Sequence, residues 1–449
     1  MKSSRNRIFR TLAATTCLAL LGLPALAATE AQTLTVIHAG RALLMPGEQA
    51  RRDVSIIVRG DVIERVSEGF LDPASLGSGV KVIDLRGQFV LPGLMDAHVH
   101  LSSQPRVAQS YENSRLMNSL GTPEEKTLLA LANARQFLET GYTTVRDMGG
   151  VPDAIFAVRD SIKRGSLIGP RIYAAGYLVG PTGGHGDAPA LARLRKEPPP
   201  SVCDGADGCR QHTRLQIRNG SDLIKVAITG GGSEESGSDE YAPSFTDEEL
   251  LAITQTAHGL GRKVGAHAHG ARGINAALRA GIDSIEHGDG LNDESIKLML
   301  KNGAVLVPTL SMMNDLQRRV DEMAQFGATP FKARYEETIR TMPEQIGRAY
   351  RAGVKIVAGS DRLAAENREL DWYVKIGMTP TQAIRAATVN AADLLGIGKR
   401  AGSIEVGKWA DIIAVEGDPL EDITTIRAVR FVMKGGEVIV PVAPSGAAH

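Results

Sequence analysis

Apolar residues recur along this chain in two rhythms, and the change between them divides it into parts. Near both ends they come in short β-branched runs: Thr33–Ile37, Val54–Val58, Val62–Val66 and Val80–Ile83 on one side, Asp411–Val415, Val429–Met433 and Val438–Val440 on the other. Runs of this length, broken by Gly and Asp, are strand signals, and Arg59-Gly60-Asp61 reads as a hairpin turn between two of them. Between the ends the pattern alternates. Apolar stretches suited to buried parallel strands occur near residues 94–101, 143–147, 171–177, 223–229, 264–269, 284–287, 305–310 and 355–361. Helix-like segments separate most of them, among them 123–140, 246–262, 294–302 and 334–352. Thr246 followed three residues later by Glu249 has the form of a capping box. Eight strand–helix repeats over roughly 300 residues predict an α/β fold, a (β/α)8 TIM barrel, with a doubly wound open sheet as the alternative. The expected organisation is a barrel over residues 93–400 and one small β-sandwich domain formed from both chain ends, 28–92 and 401–449.

The first residues follow a different logic. Lys2, Arg5, Arg7 and Arg10 precede an apolar stretch from Leu12 to Leu23, then Pro24 and Ala25-Leu26-Ala27. That order predicts a secretory signal peptide, 1–27, cleaved after Ala27, and hence a periplasmic or secreted protein. The apolar run is too short for a comfortable membrane span, and no later stretch approaches the needed length, so no membrane association is expected once the signal is removed. A lipoprotein site at Cys17 fits poorly, since Thr15 and Thr16 precede it.

Length and composition add bounds. The chain of 449 residues, 43% hydrophobic, is ample for a large domain, a smaller one and a sizeable core. Basic and acidic residues balance at 51 each, and removal of four basic residues with the signal leaves 47 against 51. A mildly acidic chain carries no electrostatic footprint for nucleic acid. An oxidising compartment makes Cys203 and Cys209 candidates for a local disulfide in a Gly/Asp-rich loop, with two free thiols as the alternative.

Barrel enzymes carry their chemistry at the carboxyl ends of the strands. Those ends hold His98 and His100 on the first strand, Lys225 on the fourth, His267 on the fifth, His287 on the sixth and Asp361 on the eighth. Residues two apart in a strand face the same side, so both imidazoles of His98-Val99-His100 can face one point, which is half of a metal site. Each residue also has a plain structural reading. His287 can be a satisfied rim histidine, Asp361 a turn or cap residue, and Lys225 a lysine ion-paired inside the barrel. The set is more telling than its members, because all six fall on strand ends with types that fit one site.

At these residues the chain resembles the amidohydrolase superfamily. The resemblance extends to Val90–His100, to Ile285–Gly288 and to Gly402–Ala414, and a composite sheet domain from both ends is a feature of that superfamily. It implies that His98 and His100 bind one metal, that His267 and His287 bind a second, and that Lys225 is carboxylated and bridges the two. Asp361 is implied as the eighth-strand carboxylate that binds metal and handles the proton. The implied cofactor is a pair of Zn2+ ions per subunit, with Mn2+ or Co2+ as substitutes, activating a bridging hydroxide. The chemistry is sound: a desolvated lysine can add carbon dioxide, and the product is an anionic oxygen ligand for two divalent ions.

Within the superfamily, Thr182–Asp187, Val264–His269, Val307–Leu310, Asn367–Leu370 and Gly377–Thr388 are similar to the prolidase-like dipeptidases and ochratoxinase-type amidases. This implies hydrolysis of the amide of an N-acyl amino acid or dipeptide with a free carboxylate, ochratoxin A being one candidate. His185, in a glycine-flanked loop after the third strand, is expected to donate a hydrogen bond to the scissile carbonyl. His269 stands where many relatives carry a tyrosine and is expected to contact substrate, gripping its carboxylate; the departure puts an ordinary proline-dipeptide preference in doubt. Relatives of this group form ring-like homo-oligomers, often octamers. The alternatives are a cyclic amide or imidazolone hydrolase on the same fold, and an inactive exported binding protein.

Overall fold

One long strand links the sheet at the chain ends to the barrel. In this computed structural model, which describes residues 33–103, 121–187, 197–230, 241–323 and 330–442, that strand is Lys81–Pro92. It runs parallel to Leu34–Ala42 and antiparallel to Ile412–Val415, so both ends of the chain meet on it. The expected signal peptide, 1–27, lies outside the described residues.

The terminal sheet has seven strands, ordered 437–440, 429–434, 412–415, 81–92, 34–42, 51–59 and 62–68. It curls until its far strand meets the chain leading into Ile412: Val62 bridges Trp409, and Ala410 N donates to Asp61 O at 2.8 Å. Ile37, Ile56, Leu85, Ile412 and Phe431 form its buried core. The β-branched runs seen in the sequence therefore supply the inner face of a sheet, as their alternation requires. The hairpin expected at residues 59–61 is present, with Gly60 at φ 58°.

Gly93 ends the linking strand and Leu94–Val99 opens the barrel. A Cβ at position 93 would stand 2.4 Å from Thr143 Oγ1, so only glycine lets the first and second barrel strands approach this closely. The remaining strands are Tyr142–Asp147, Arg171–Ala174, Ile224–Ala227, Val264–Ala268, Ser284–His287 and Val305–Val307. Neighbours run parallel, and the gap between the third and fourth is spanned by Asp222 N donating to Ala174 O and by Leu178 paired with Lys225. The eighth stretch forms no extended ladder. It is held by a bridge between Ile356 and Leu306, while Ala97 N donates to Ala358 O and Asp361 N to His98 O, which closes the ring.

Helices form where their caps allow. The box expected at Thr246 exists in both directions, Glu249 N donating to Thr246 Oγ1 and Thr246 N to Glu249 Oε2, and starts the helix Asp247–Gly259. Thr122 and Glu125 do the same for Pro123–Glu139. Among the described residues no helix is long and apolar enough to cross a membrane. Cys203 and Cys209 are joined in a disulfide with Cα atoms 4.9 Å apart.

Candidate metal centre

His98 is buried at the end of the first barrel strand, and its Nδ1 meets Glu286 Oε2 at 2.8 Å. Two residues on, His100 bonds through Nδ1 to Gly149 O at 2.7 Å, and its Nε2 lies 3.4 Å from Asp361 Oδ1. Both first-strand imidazoles thus have Nδ1 engaged by the surrounding protein, which leaves Nε2 for a ligand and fixes the ring. The donor atoms of His98, His100 and Asp361 lie within 4.8 Å of one another, a spacing one metal ion can satisfy.

Lys225 lies between this group and a second one. Only 2% of its surface is exposed, and Nζ is a buried atom with no hydrogen-bond partner. Burial lowers its ammonium to about 8, against the opposing pull of the Glu286 carboxylate. A buried, unbonded ammonium is costly, whereas a lysine whose amine is readily freed near neutral pH is competent to add carbon dioxide. The residue therefore fits a carboxylated metal bridge better than a structural lysine.

The second group comprises His267, His269 and His287, whose donor atoms also lie within 4.8 Å of one another. His287 Nδ1 bonds Thr309 Oγ1 at 2.8 Å, His269 Nδ1 bonds Asp289, and His267 Nε2 faces Gly230 O at 3.0 Å. The sequence expectation had two ligands here and a separate substrate contact; the structure gathers all three rings. Their centroids stand 4.5 Å apart for His267 and His269 and 4.7 Å for His267 and His287, and His98 lies 5.1 Å from His287, connecting the two groups. Burial favours the neutral form of His98, His267 and His287: His98 falls to about 4, and His267 and His287 are lowered as well, helped by their histidine neighbours. Neutral imidazole is the metal-binding form.

The backbone contributes as much as the side chains. His287, Thr309 and Asp361, at the ends of the sixth, seventh and eighth strands, have φ of 68°, 52° and 50°. Side chains in a regular strand alternate between faces, so Glu286 and His287 should point apart. The left-handed turn at His287 cancels that alternation, and both residues serve the same site. Such strain is held where the surroundings over-determine it. Gly359 lets the eighth stretch approach the first and seventh strands closely, since a Cβ there would stand 2.8 Å from His98 Cβ and 2.4 Å from Val307 Cγ1.

His185 begins the turn His185–Asp187 and stacks on His267, centroids 4.7 Å apart and rings 25° from parallel. The disulfide segment braces this loop: Cys203 N donates to Gly180 O, and Asp204 accepts from both Thr182 N and Thr182 Oγ1. All eight sequence-predicted residues, His98, His100, His185, Lys225, His267, His269, His287 and Asp361, line one pocket of ≈ 180 Å³.

Residues 89–440 match the amidohydrolase family. The chain belongs to that family. This amidohydrolase is 31% identical over 443 residues to the ochratoxinase of Aspergillus niger, covering 92% of this chain and 88% of that one. A crystal structure of a Xaa-Pro dipeptidase with bound methionine superposes with a TM-score of 0.81 at 33% identity, over 91% of this chain and all of that one. The crystal structure of the A. niger ochratoxinase gives 0.78 at 29% identity, over 91% and 96%. The amidohydrolase is therefore a hydrolase acting on amide bonds, related to ochratoxinase and to the prolidases.

Sequence reasoning missed the supports of this amidohydrolase site. Glu286 is fully buried, accepts two bonds from Arg146 Nη2 at 2.9 and 3.0 Å and one from Ser284 Oγ, and holds His98. Arg146 and His98 keep its carboxyl well below the usual carboxylate range despite burial. Asp289 holds His269, and Asp147 accepts from Leu101 N and Gly149 N, tying the His100 turn to the second strand. A signal existed: charged residues inside apolar strands need partners, and Arg146 and Glu286 are each other's.

Proposed function

We propose that this protein is an exported dinuclear zinc amidohydrolase that cleaves the amide of N-acyl amino acids or dipeptides carrying a free carboxylate. One observation carries the reading: two groups of metal-competent donors flank a buried lysine whose Nζ has no hydrogen-bond partner, inside one pocket. His98, His100 and Asp361 would hold one ion and His267 and His287 the other, with carboxylated Lys225 shared between them. When bound, two divalent ions supply a water activated near neutral pH and a polarised carbonyl.

The remaining work belongs to side chains. Asp361 accepts the proton of the attacking water on a carboxylate oxygen and delivers it to the departing nitrogen. His185 donates a hydrogen bond to the scissile carbonyl oxygen, where charge develops, and its stacking on His267 fixes the ring. His269, oriented by Asp289, contacts the substrate beside the scissile amide. The relatives named ochratoxinase and Xaa-Pro dipeptidase support amides of amino acids as the substrate class, ochratoxin A among them. The disulfide accords with export to the periplasm or beyond, and a homo-oligomer, an octamer by resemblance, is the expected assembly.

The test is a hydrolysis screen of N-acyl amino acids and dipeptides on protein whose metal content has been measured. Two ions per chain and turnover that requires the free carboxylate are expected. Fewer than one tightly held ion, with no turnover restored by zinc, manganese or cobalt, sinks the dinuclear metal reading. A preference for ring amides without a carboxylate sinks the substrate class.

A further inference from the structure

The pocket above the histidines has a wall that the hydrolytic chemistry does not use. Two helices following the seventh strand, Met312–Met323 and Pro330–Arg351, supply it. Met312, Met313 and Met342 bring apolar surface to the pocket; Arg319 and Arg334 bring guanidinium groups, and Tyr335 on the second helix lines it as well.

Arg319 is set in place. Its side chain is only 12% exposed, Nη2 donates to Asp315 Oδ2 at 2.9 Å, and the guanidinium lies over the Tyr335 ring, 5.8 Å from the centroid. Asp315 also accepts from Arg362 Nη2 at 3.2 Å, so the residue that anchors Arg319 also touches the segment carrying Asp361. Arg334 lies over the Tyr241 ring at the same 5.8 Å. A planar guanidinium is the group best matched to a carboxylate, and methionine adapts to irregular apolar shapes. His269 is less suited to an anion, because one of its two ring nitrogens is held by Asp289, whereas a guanidinium such as that of Arg319 has five N–H donors and can meet Asp315 and a second carboxylate together.

We infer that Arg319 and Arg334 bind the free carboxylate of the departing amino acid while Met312, Met313 and Met342 receive its side chain. The substrates are then amides of amino acids with large apolar side chains. This rests on the amide-hydrolase reading above and adds to it the residues that recognise the leaving group.

The test compares N-acetyl-L-phenylalanine with N-acetyl-2-phenylethylamine, which has the same scissile amide and no carboxylate. Wild type is expected to favour the acid in kcat/KM, and the Arg319→Met/Arg334→Met double variant to lose about 10- to 100-fold of that ratio, the scale of charge-assisted hydrogen bonds. Arg319→Lys should restore part of it, which a purely structural role would not predict. In parallel, calorimetry of free L-phenylalanine against 2-phenylethylamine should show the same preference lost in the double variant. An unchanged ratio in the double variant, with His269→Ala losing it instead, overturns the assignment. So does wild type that binds L-phenylalanine no better than the amine. If wild type cleaves neither amide, the N-acyl amino acid reading fails while membership of a hydrolase family stands, and the calorimetric comparison still decides the arginines.

Discussion

The floor and the wall of the pocket are built differently. On the floor, His98, His267 and His287 project from at or near strand ends, with partners that fix the rings, and Lys225 rises from within the fourth strand; all four are almost fully buried. The wall comes from two helices and presents long, adaptable side chains, methionines and arginines, with Arg334 on the helix Pro330–Arg351. Parallel strands hold their ends to fixed spacings, so a metal site placed there is positioned by the fold's own hydrogen bonds. Helices bordering a pocket can change side chains without disturbing that ladder. Chemistry and selectivity are therefore separable here, and substitutions on each side should fail in different ways.

The largest effect is expected at the centre of the floor. Lys225→Ala should lower kcat by at least about 10²- to 10³-fold, as removal of a central electrostatic group does, and reduce bound metal below two ions per chain. Short carboxylic acids should restore part of the activity by standing in for the carbamate. The loss should be equal for every substrate; a variant that retained activity would remove the shared ligand from the reading.

One layer further out, Glu286→Gln should weaken metal binding about 10- to 100-fold, the usual cost of losing a group that orients a ligand. It also leaves Arg146 buried without its countercharge, so stability should fall by up to about 3–5 kcal/mol. Chelator competition and thermal melting measure the two effects. A changed substrate ranking with metal affinity intact would place Glu286 with the wall and break the comparison.

The floor was largely legible in the sequence for a physical reason. Period-two spacing fixes the faces of His98 with His100 and of His267 with His269, and strand ends in an alternating fold converge on one rim. Legibility stopped where the backbone leaves the regular strand. Nothing in Ser284–His287 says that His287 takes φ 68°, which turns it to the side Glu286 already occupies. The apolar pattern predicts an eighth strand over 355–361, yet that stretch is held mainly by a bridge and a few single hydrogen bonds, with Gly359 and the left-handed Asp361 within it. On the wall, the segment at 334–352 was readable as a helix, but the helix Met312–Met323 was not singled out, and which residues reach the pocket depends on how both helices pack.

Selectivity gives a smaller effect. Met342→Ala removes an apolar side chain that is 2% exposed, and should raise KM for phenylalanine-releasing amides about 4- to 15-fold, the scale of one or two buried methylenes. Alanine-releasing amides should respond less, and metal content should not change. Loss of metal in this variant would mean that wall and floor are one mechanical unit and that their separation is wrong.

The smallest effect on turnover is expected from the disulfide, which belongs to neither side yet touches the loop of His185. Cys203→Ser/Cys209→Ser opens a closed segment of a few residues, which by loop entropy costs about 2 kcal/mol at most. The hydrogen bonds from Thr182 to Asp204 and from Cys203 N to Gly180 O remain available, so the loop keeps its anchor while losing its brace. The expected outcome is a lower melting temperature, unchanged metal content and a fall in kcat of only a few-fold, with KM little altered. His185 acts on the charge that develops at the carbonyl, so loosening it should show in kcat before binding. A change in KM alone would assign the loop to substrate capture and place His185 with the wall.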